Sequence, residues 1–389
     1  MMKNYYEIDK KYVANTYSRY DLMFTHGKGA YLYDENEKPY IDLASGIAVN
    51  GFGICDETWQ DAVITQVKTL AHTSNLYYTK PQIELANILC EKTGFSRVFF
   101  SNSGAEANEC AIKTARKYAS DISDKKGKYI ITLKQSFHGR TVTTLSATGQ
   151  DSLHTDFSPF TDGFVYATAN DKGEIAKLVK DFDCCAIMIE LVQGEGGVNV
   201  LDKDYVQYIS TLAKENDLLL IIDEVQTGNG RTGTLYAYMQ YGIEPDIITT
   251  AKGLGNGLPI GATFFNEKTM NTLSSGTHGS TFGGNPICCA GAITVVERLT
   301  DEFLEEVKKK GEYLKNELKE LKNVVSISSL GLMMGIETTK DSKELVKKCI
   351  EKGVLVLTAK NKIRLLPPLN IEFDELKKAT EILKEIIEE

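Results

Sequence analysis

Short runs of apolar residues recur through the middle of the chain, and each is followed by a polar or glycine-rich segment. The runs are apolar throughout rather than alternating, which is typical of strands buried on both faces of a largely parallel sheet. They cover residues 98–100, 129–133, 186–190, 218–223 and 246–251. Helical patterns separate them, such as residues 105–120 with apolar positions on one face. The pattern predicts a doubly wound, mostly parallel α/β domain.

The pattern changes after about residue 300. A long amphipathic helical pattern comes first, and strand-like runs and a last helical pattern follow at 324–328, 332–336, 354–357 and 376–387. This order indicates a smaller α+β domain. The first 50 residues contain short strand patterns with turn signals and are expected to pack against that domain. We therefore predict an N-terminal segment at 1–50, a large domain at 51–290 and a small domain at 291–389.

Polar side chains cluster where the predicted strands end. In an open α/β sheet, ligands bind beyond the carboxyl ends of the strands. The residues found at these ends include Phe137, Arg140, Glu190, Asp223 and Lys252. One edge of the sheet is therefore expected to carry the chemistry.

Lys252 and Asp223 form the most informative pair at this edge. A lysine can form a Schiff base with a carbonyl cofactor, and an acid can hold a pyridine nitrogen protonated. Most lysines lie on the solvated surface, but Lys252 follows an apolar run and precedes glycines, so burial against a ligand is expected. A desolvated lysine has a lowered pKa and becomes a usable nucleophile.

Residues 101–106, with the sequence Ser-Asn-Ser-Gly-Ala-Glu, join the first predicted strand to a helix. Gly104 permits close approach of the backbone, and the helix start offers free N–H groups and the positive end of its dipole to a phosphate. A simple capped turn, with Ser103 as the cap residue, explains the same residues equally well.

Three other motifs suggest competing kinds of site. Residues 218–224 resemble a nucleotide-hydrolase strand, but the sequence contains no G-x-x-x-x-G-K-[ST] loop to accompany it. Residues 228–233 match the dinucleotide fingerprint G-x-G-x-x-G, yet they begin five residues after Asp223 rather than in a strand-to-helix turn. His138 and His278 lack the spacing of a metal-binding pair, so no metal site is predicted.

Composition and charge narrow the function classes. The chain has 389 residues, 42% of them hydrophobic and 25% charged, as expected of a globular enzyme. Its net charge of -9 argues against nucleic-acid binding, which needs a basic face. No apolar run approaches the roughly 18 residues of a membrane span, and the start lacks a signal core, so a cytoplasmic protein is expected. The eight cysteines form no metal pattern and are predicted to be reduced.

Segments along nearly the whole chain together resemble the class III aminotransferases, which are fold-type I enzymes dependent on pyridoxal phosphate. The segments that carry the resemblance are residues 72–78, 103–108, 137–141, 146–150, 193–197, 223–228, 251–253 and 278–286. The resemblance implies the fold-type I architecture, a pyridoxal 5'-phosphate cofactor and a homodimer with shared active sites.

The resemblance also assigns roles in cofactor binding. Lys252 would form the Schiff base and later shuttle a proton, and Asp223 would pair with the pyridinium nitrogen. Gly104 and Ala105 would bind the phosphate through backbone N–H groups. Phe137 and Val225 would pack on the two ring faces, and Gln226 would reach the phenolic oxygen. Ser103 and Glu190 are further implied cofactor contacts, and Thr281 would reach the phosphate of the neighbouring subunit.

Arg140 and Arg364 are the predicted substrate contacts, since arginine grips carboxylates in a bidentate fork. Glu195 resembles the family glutamate that pairs with this arginine and swings aside, and Ser280 would contact the amine donor. The resemblance implies transfer of the terminal amine of N-acetylornithine to 2-oxoglutarate, by a ping-pong mechanism, in arginine biosynthesis. The alternatives are other ω-amine donors (ornithine, succinylornithine, acetyl-lysine, succinyldiaminopimelate or 4-aminobutyrate) and a cofactor-binding protein without turnover.

Overall fold

The computed structural model describes residues 4–121 and 127–389. Residues 1–3, the beginning of the predicted N-terminal segment, lie outside this range. The first part of the chain forms three antiparallel strands flanked by helices. Its elements are α1 (Tyr5–Tyr12), β1 (Phe24–Lys28), β2 (Tyr31–Asp34), β3 (Pro39–Asp42), α2 (Ser45–Ala48), α3 (Glu57–Thr69) and α4 (Lys80–Thr93).

The middle of the chain alternates strands and helices, as the apolar runs predicted. Its elements are β4 (Arg97–Ser101), α5 (Gly104–Asp121), β5 (Tyr129–Leu133), α6 (Val142–Ala147), β6 (Phe164–Ala167), α7 (Lys172–Asp181), β7 (Cys184–Ile189), β8 (Val192–Gln193), β9 (Asn199–Val200), α8 (Lys203–Glu215), β10 (Leu219–Asp223), β11 (Ile247–Thr250) and β12 (Gly261–Phe265). Seven of these strands form one sheet in the order β4-β12-β11-β10-β7-β5-β6. Neighbouring strands run parallel except in the two pairs that β12 makes. The expected mostly parallel α/β fold is therefore confirmed.

The continuous apolar runs have a simple cause in the packing of this sheet. Along β10, Leu220 and Ile222 belong to the core on one face, whereas Leu219 and Ile221 belong to the core on the other. Successive side chains of a strand point to opposite faces, so a strand covered on both faces must be apolar at every position. Helix α5 supplies part of the second core through its small residues.

Strand β12 was not predicted, although all five of its residues are buried. It begins at Gly261, where an added Cβ would lie 2.4 Å from the backbone oxygen of Ser103. The close approach of these two segments requires glycine, and the glycine weakens the strand pattern in the sequence. The strand fills the gap between β4 and β11 and so brings the segment after β4 into the sheet edge.

The last part of the chain is the expected α+β arrangement. Its elements are α9 (Pro286–Arg298), α10 (Asp301–Leu318), β13 (Val324–Leu330), β14 (Met333–Thr338), α11 (Ser342–Glu351), β15 (Val354–Leu355), β16 (Leu357–Ala359), β17 (Lys362–Leu365) and α12 (Phe373–Glu388). Strands β13, β14, β17 and β16 form a second sheet, and β15 joins β3 of the first part. The single strand predicted at 354–357 is wrong, because the chain crosses between two sheets at Val356. The domain boundaries at 50 and 290 stay predictions.

Among residues 4–121 and 127–389, no helix is both long and apolar enough to cross a bilayer.

Candidate active site

A cavity of about 470 Å³ opens at the edge of the large sheet. Its walls come from the segments that follow β4, β5, β7, β10 and β11, which confirms that the carboxyl ends of these strands meet at one place. The predicted site residues in these walls are Ser103, Gly104, Ala105, Phe137, Arg140, Glu190, Asp223, Val225, Gln226 and Lys252. The roles given to them stay predictions, but the structure does bring them together.

Lys252 begins a short 3₁₀ turn directly after β11. Its φ of 43° lies in the left-handed region, which costs a non-glycine residue on the order of 1–3 kcal/mol. Burial lowers the pKa of its amine, and acidic neighbours, first among them Glu195, oppose that shift. A larger share of the amine is therefore neutral near pH 7, and only the neutral form is a nucleophile.

Asp223 ends β10 and accepts three hydrogen bonds. Its Oδ2 accepts from Asn108 Nδ2 and from His138 Nδ1, both at 2.8 Å, and its Oδ1 accepts from the backbone N–H of Val225 at 3.0 Å. Asn108 is itself fixed by the hydroxyl of Thr249 on β11, which donates to its Oδ1 at 2.6 Å. These hydrogen bonds fix the position and orientation of the Asp223 carboxylate in the cavity wall.

Asn108 and His138 were missed as functional residues at the sequence level. His138 was weighed only as a metal ligand, and its side chain is fully buried instead, with Nε2 lacking a partner among the described residues. Asn108 lies on the buried face of α5, where its neighbours are alanine and cysteine. A polar residue among small apolar ones was the available signal, because a buried amide must find partners.

The N-terminus of α5 forms one wall of the cavity. Gly104 and Ala105 lie there, and the hydroxyl of Ser103 accepts a hydrogen bond from the backbone N–H of Glu106 at 3.1 Å, as a helix cap does. The first N–H groups of a helix have no partner within it, so they remain available to an anion. A Cβ added to Gly104 would lie 2.6 Å from Cγ1 of Val225, so glycine is required here.

Arg364 lies in the middle of β17 and connects to the cavity through Gln226. Its Nη1 donates to Oε1 of Glu195 at 2.6 Å and to Oε1 of Gln226 at 3.3 Å. Burial alone would raise the pKa of Glu195, but the attraction and hydrogen bond of Arg364 outweigh it and the net pKa is lowered. Arg364 Nε is buried without a partner in the described part of the chain. The predicted pair of Glu195 and Arg364 is thus formed, and the guanidinium can still donate a further hydrogen bond.

Glu190 and Arg140 occupy different depths of the cavity. Glu190 is buried, its Oε2 accepts from the backbone N–H of Phe137 at 2.9 Å, and burial and Asp223 together raise its pKa. Arg140 is exposed, and its guanidinium lies 5.7 Å from the centre of the Phe137 ring. Arg140 is therefore placed at the entrance, where it can meet a charged substrate.

Ser280 and Thr281 do not line the cavity of the same chain, and Glu195 and Arg364 lie behind it, next to Gln226. Ser280 and Thr281 line a separate groove together with Asn102, whose Nδ2 donates to Oγ of Ser280 at 3.0 Å. Thr281 is exposed. Asn102 also lines the main cavity, so the two depressions share one wall.

The residues present fit a planar, phosphate-bearing aldehyde. Gly104 and Val225 leave a narrow space beside a helix N-terminus, Phe137 offers an aromatic face, and Asp223 and Lys252 supply the acid and the amine. Pyridoxal 5'-phosphate has a phosphate, a flat ring with a basic nitrogen, and an aldehyde, so each part meets suitable chemistry.

Comparison with known proteins agrees with this chemistry. The family described as aminotransferase class-III matches residues 12–387. The acetylornithine aminotransferase of Haemophilus ducreyi is 49% identical over 98% of each chain. An ornithine aminotransferase structure from Toxoplasma gondii, described with pyridoxal phosphate at its active site, superposes with a TM-score of 0.94 at 31% identity, covering 100% of this chain and 94% of that one. For the N-acetylornithine aminotransferase of Stenotrophomonas maltophilia, the values are a TM-score of 0.85, 33% identity and 98% of each chain.

Proposed function

The chain belongs to the class III aminotransferases, and we propose that it transfers the terminal amine of N-acetylornithine to 2-oxoglutarate. The products are N-acetylglutamate 5-semialdehyde and glutamate, and the reaction is a step of arginine biosynthesis. The enzyme is dependent on pyridoxal phosphate. The similarity to acetylornithine aminotransferases over 98% of both chains supports the choice of donor.

Pyridoxal phosphate, when bound, supplies the carbonyl group and an electron sink for the bond that breaks at the substrate carbon. Lys252 Nζ would hold the carbonyl group, and its lowered pKa keeps a fraction of the amine neutral for this purpose. The same amine would also serve as the base for the proton on the terminal carbon of N-acetylornithine.

The other cavity residues hold the cofactor in place. Asp223, whose carboxylate is held by three hydrogen bonds, would pair with the ring nitrogen. The N–H groups of Gly104 and Ala105, with Ser103 capping the same helix, would bind the phosphate. Phe137, Val225, Gln226 and Glu190, which line the same cavity, would contact the ring.

The two arginines explain how one cavity accepts two substrates of different charge. N-acetylornithine carries one carboxylate, which Arg140 binds at the entrance while Glu195 keeps Arg364 occupied at 2.6 Å. 2-Oxoglutarate carries two carboxylates, so its second one binds Arg364 once Glu195 has moved aside. Because the two substrates use the same space in turn, the kinetics are ping-pong.

We also propose that two copies form a homodimer in which Ser280 contacts the donor and Thr281 binds the phosphate of the neighbouring subunit. Support comes from exposed apolar side chains near these residues, with Tyr78 96% and Leu76 86% exposed. Asn75, next to them in the sequence, donates to the backbone oxygen of Gly283 at 2.8 Å, so both segments belong to one surface. Apolar patches of this kind mark interaction sites. Location in the cytoplasm stays a prediction.

A mixing experiment tests the shared site. A dimer assembled from a Lys252→Ala subunit and a Thr281→Val subunit would contain one site with both changes and one site with neither. If sites are shared, mixing two impaired variants therefore restores activity. Activity equal to the average of the two variants would contradict the proposal.

The observation that carries the proposed reaction is the meeting of Lys252, Asp223 and a helix N-terminus in one cavity. The test is the visible absorption spectrum of the purified protein before and after addition of N-acetylornithine. A band that bleaches with N-acetylornithine and returns with 2-oxoglutarate is expected, and Lys252→Ala should lack it and transfer no amine. A band that ignores N-acetylornithine would overturn the donor, and the lack of any band after incubation with pyridoxal phosphate would overturn the cofactor role of this cavity.

A further inference from the structure

The segment 228–233, Gly-Asn-Gly-Arg-Thr-Gly, matches a dinucleotide fingerprint, but it has no free cradle for a phosphate. The N–H of Gly230 donates to the Leu235 oxygen at 3.2 Å, and the N–H of Gly233 donates to the Gly230 oxygen at 3.0 Å. The segment is buried and forms a turn rather than the start of a helix. Its side chains therefore need another explanation.

Asn229 connects this turn to the backbone beside Lys252. Its Nδ2 donates to Oγ1 of Thr250 at 2.8 Å and to the backbone oxygen of Ala251 at 3.1 Å. Asn229 has a φ of 55°, which asparagine tolerates better than most residues. The peptide that it holds leads directly into Lys252, whose φ of 43° is also left-handed. A strained backbone persists only where its surroundings hold it, and Asn229 supplies two of those bonds.

Arg231 connects the same turn to the sheet that carries Arg364. Its Nη1 donates to the backbone oxygens of Pro367 at 2.6 Å and Leu332 at 3.0 Å, and its Nη2 donates to Oγ of Ser45 at 3.5 Å. Pro367 follows the end of β17, and Leu332 precedes β14. These two strands pair with Gly335 opposite Arg364, so Arg231 holds both strands that set the position of that guanidinium.

We propose that Asn229 and Arg231 are positioning residues with separate tasks, Asn229 for the amine of Lys252 and Arg231 for the guanidinium of Arg364. Asn229 and Arg231 are separated by a single residue, Gly230, so one turn fixes the distance between the reacting amine and the carboxylate-binding arginine. The inference rests on the proposed function, in which Lys252 moves the proton and Arg364 binds 2-oxoglutarate. Function of this kind requires side chains held by a second layer of fixed contacts.

Two variants of the cofactor-loaded protein separate the tasks. Asn229→Gly keeps the left-handed backbone but removes the amide. It should shift the pH midpoint of the visible absorption band without substrate by about one unit. It should also slow both half-reactions equally and leave the affinity for glutarate, an unreactive dicarboxylate, unchanged. Arg231→Lys should weaken glutarate binding, measured by calorimetry, roughly tenfold, as expected for loss of a hydrogen bond from a charged group. It should leave the absorption midpoint and the N-acetylornithine half-reaction unchanged.

Thr232→Val is the matched control, because Thr232 lies in the same buried turn and its hydroxyl donates to the Thr227 oxygen and accepts from Gln240 Nε2, away from Lys252 and Arg364. It should leave both the absorption midpoint and the affinity for glutarate at wild-type values. If Asn229→Gly and Arg231→Lys move the two readouts together, the turn is only a packing element and the inference is wrong.

Ser45→Ala provides a second route if Arg231→Lys does not fold. Ser45 Oγ donates to the Leu366 oxygen and accepts from Arg231, so this smaller change loosens the same end of β17. A two- to threefold loss of glutarate affinity, which is about 0.5 kcal/mol, is expected without a shift of the absorption midpoint. Unchanged glutarate affinity in both variants would overturn the role of Arg231. A failure of the proposed function, in contrast, would appear in the wild-type protein as absent glutarate binding or an absent band.

Discussion

The contact between Glu195 and Arg364 leads to a testable prediction about substrate binding. Glu195 Oε1 accepts a hydrogen bond from Arg364 Nη1 at 2.6 Å, and 2-oxoglutarate is proposed to bind the same guanidinium. Glu195→Gln keeps the shape of the side chain and one acceptor oxygen but removes its charge. The competition for Arg364 becomes weaker, so we expect glutarate and 2-oxoglutarate to bind more tightly in the variant than in the wild-type protein.

The size of the effect follows from the exposure of the pair. A hydrogen bond between charged groups contributes about 1.5–3 kcal/mol, and one with a neutral acceptor about half as much. Because the Glu195 side chain is 31% exposed, solvent screens the pair and the lower end applies. The difference is then about 1 kcal/mol, which corresponds to roughly fivefold tighter binding of glutarate.

The assay is titration calorimetry of glutarate into the cofactor-loaded protein near pH 8. Glu174→Gln is a matched control, since Glu174 is also about one-third exposed and ion-paired at 2.8 Å, but its partner is Lys134 rather than Arg364. The control should bind glutarate like the wild type. Glutarate affinity that is unchanged or weaker in Glu195→Gln would refute the view that Glu195 competes with a substrate carboxylate for Arg364.

Three further changes have expected outcomes. Arg364→Ala should raise KM for 2-oxoglutarate roughly thirtyfold, for a loss of about 2 kcal/mol, with little effect on the N-acetylornithine half-reaction; an unchanged KM would move the carboxylate contact elsewhere. Gly104→Ala should weaken binding of pyridoxal phosphate at least fivefold, since overpacking against Val225 costs about 1–3 kcal/mol. Gly173→Ala should leave this binding unchanged, as absorption titrations of the cofactor-free proteins will show. Burial raises the pKa of Glu224 from 4.5 to about 7, so the folded state binds the carboxyl proton more tightly than the unfolded state does. The free energy of unfolding therefore falls as the pH rises between these two values, by about 3 kcal/mol in total. Glu224→Gln should therefore raise the urea midpoint at pH 8 but not at pH 4.5, and equal midpoint changes at both pH values would refute this.

The strands that carry the site could be predicted because their sequence obeys one rule. Both faces of β10 and β7 are covered, so every position is apolar and the first polar residue marks the end of the strand. Asp223 and Glu190 stand at those ends, and the parallel arrangement brings the ends together. The position of the site thus follows from local patterns along the chain.

The partners of these residues could not be predicted in the same way. Asn108 and His138 meet Asp223 from segments 115 and 85 residues away, and nothing in their own neighbourhood specifies that contact. Strand β12 was not predicted because it begins with Gly261, a weak strand former that the close approach to the backbone of Ser103 requires. The turn at 228–233 was compared with a ligand-binding motif, although its glycines and arginine join one part of the fold to another.

Three buried acids beside the cavity, Asp223, Glu190 and Glu224, differ in the hydrogen bonds that they accept. Asp223 accepts from two side chains and one backbone N–H, whereas Glu190 accepts from the backbone N–H of Phe137 and has a raised pKa. Glu224 faces a hydroxyl and backbone N–H groups, and its pKa is also raised. Asp223, the acid proposed to face the ring nitrogen, is therefore the one that two side-chain donors, Asn108 and His138, hold on a buried segment.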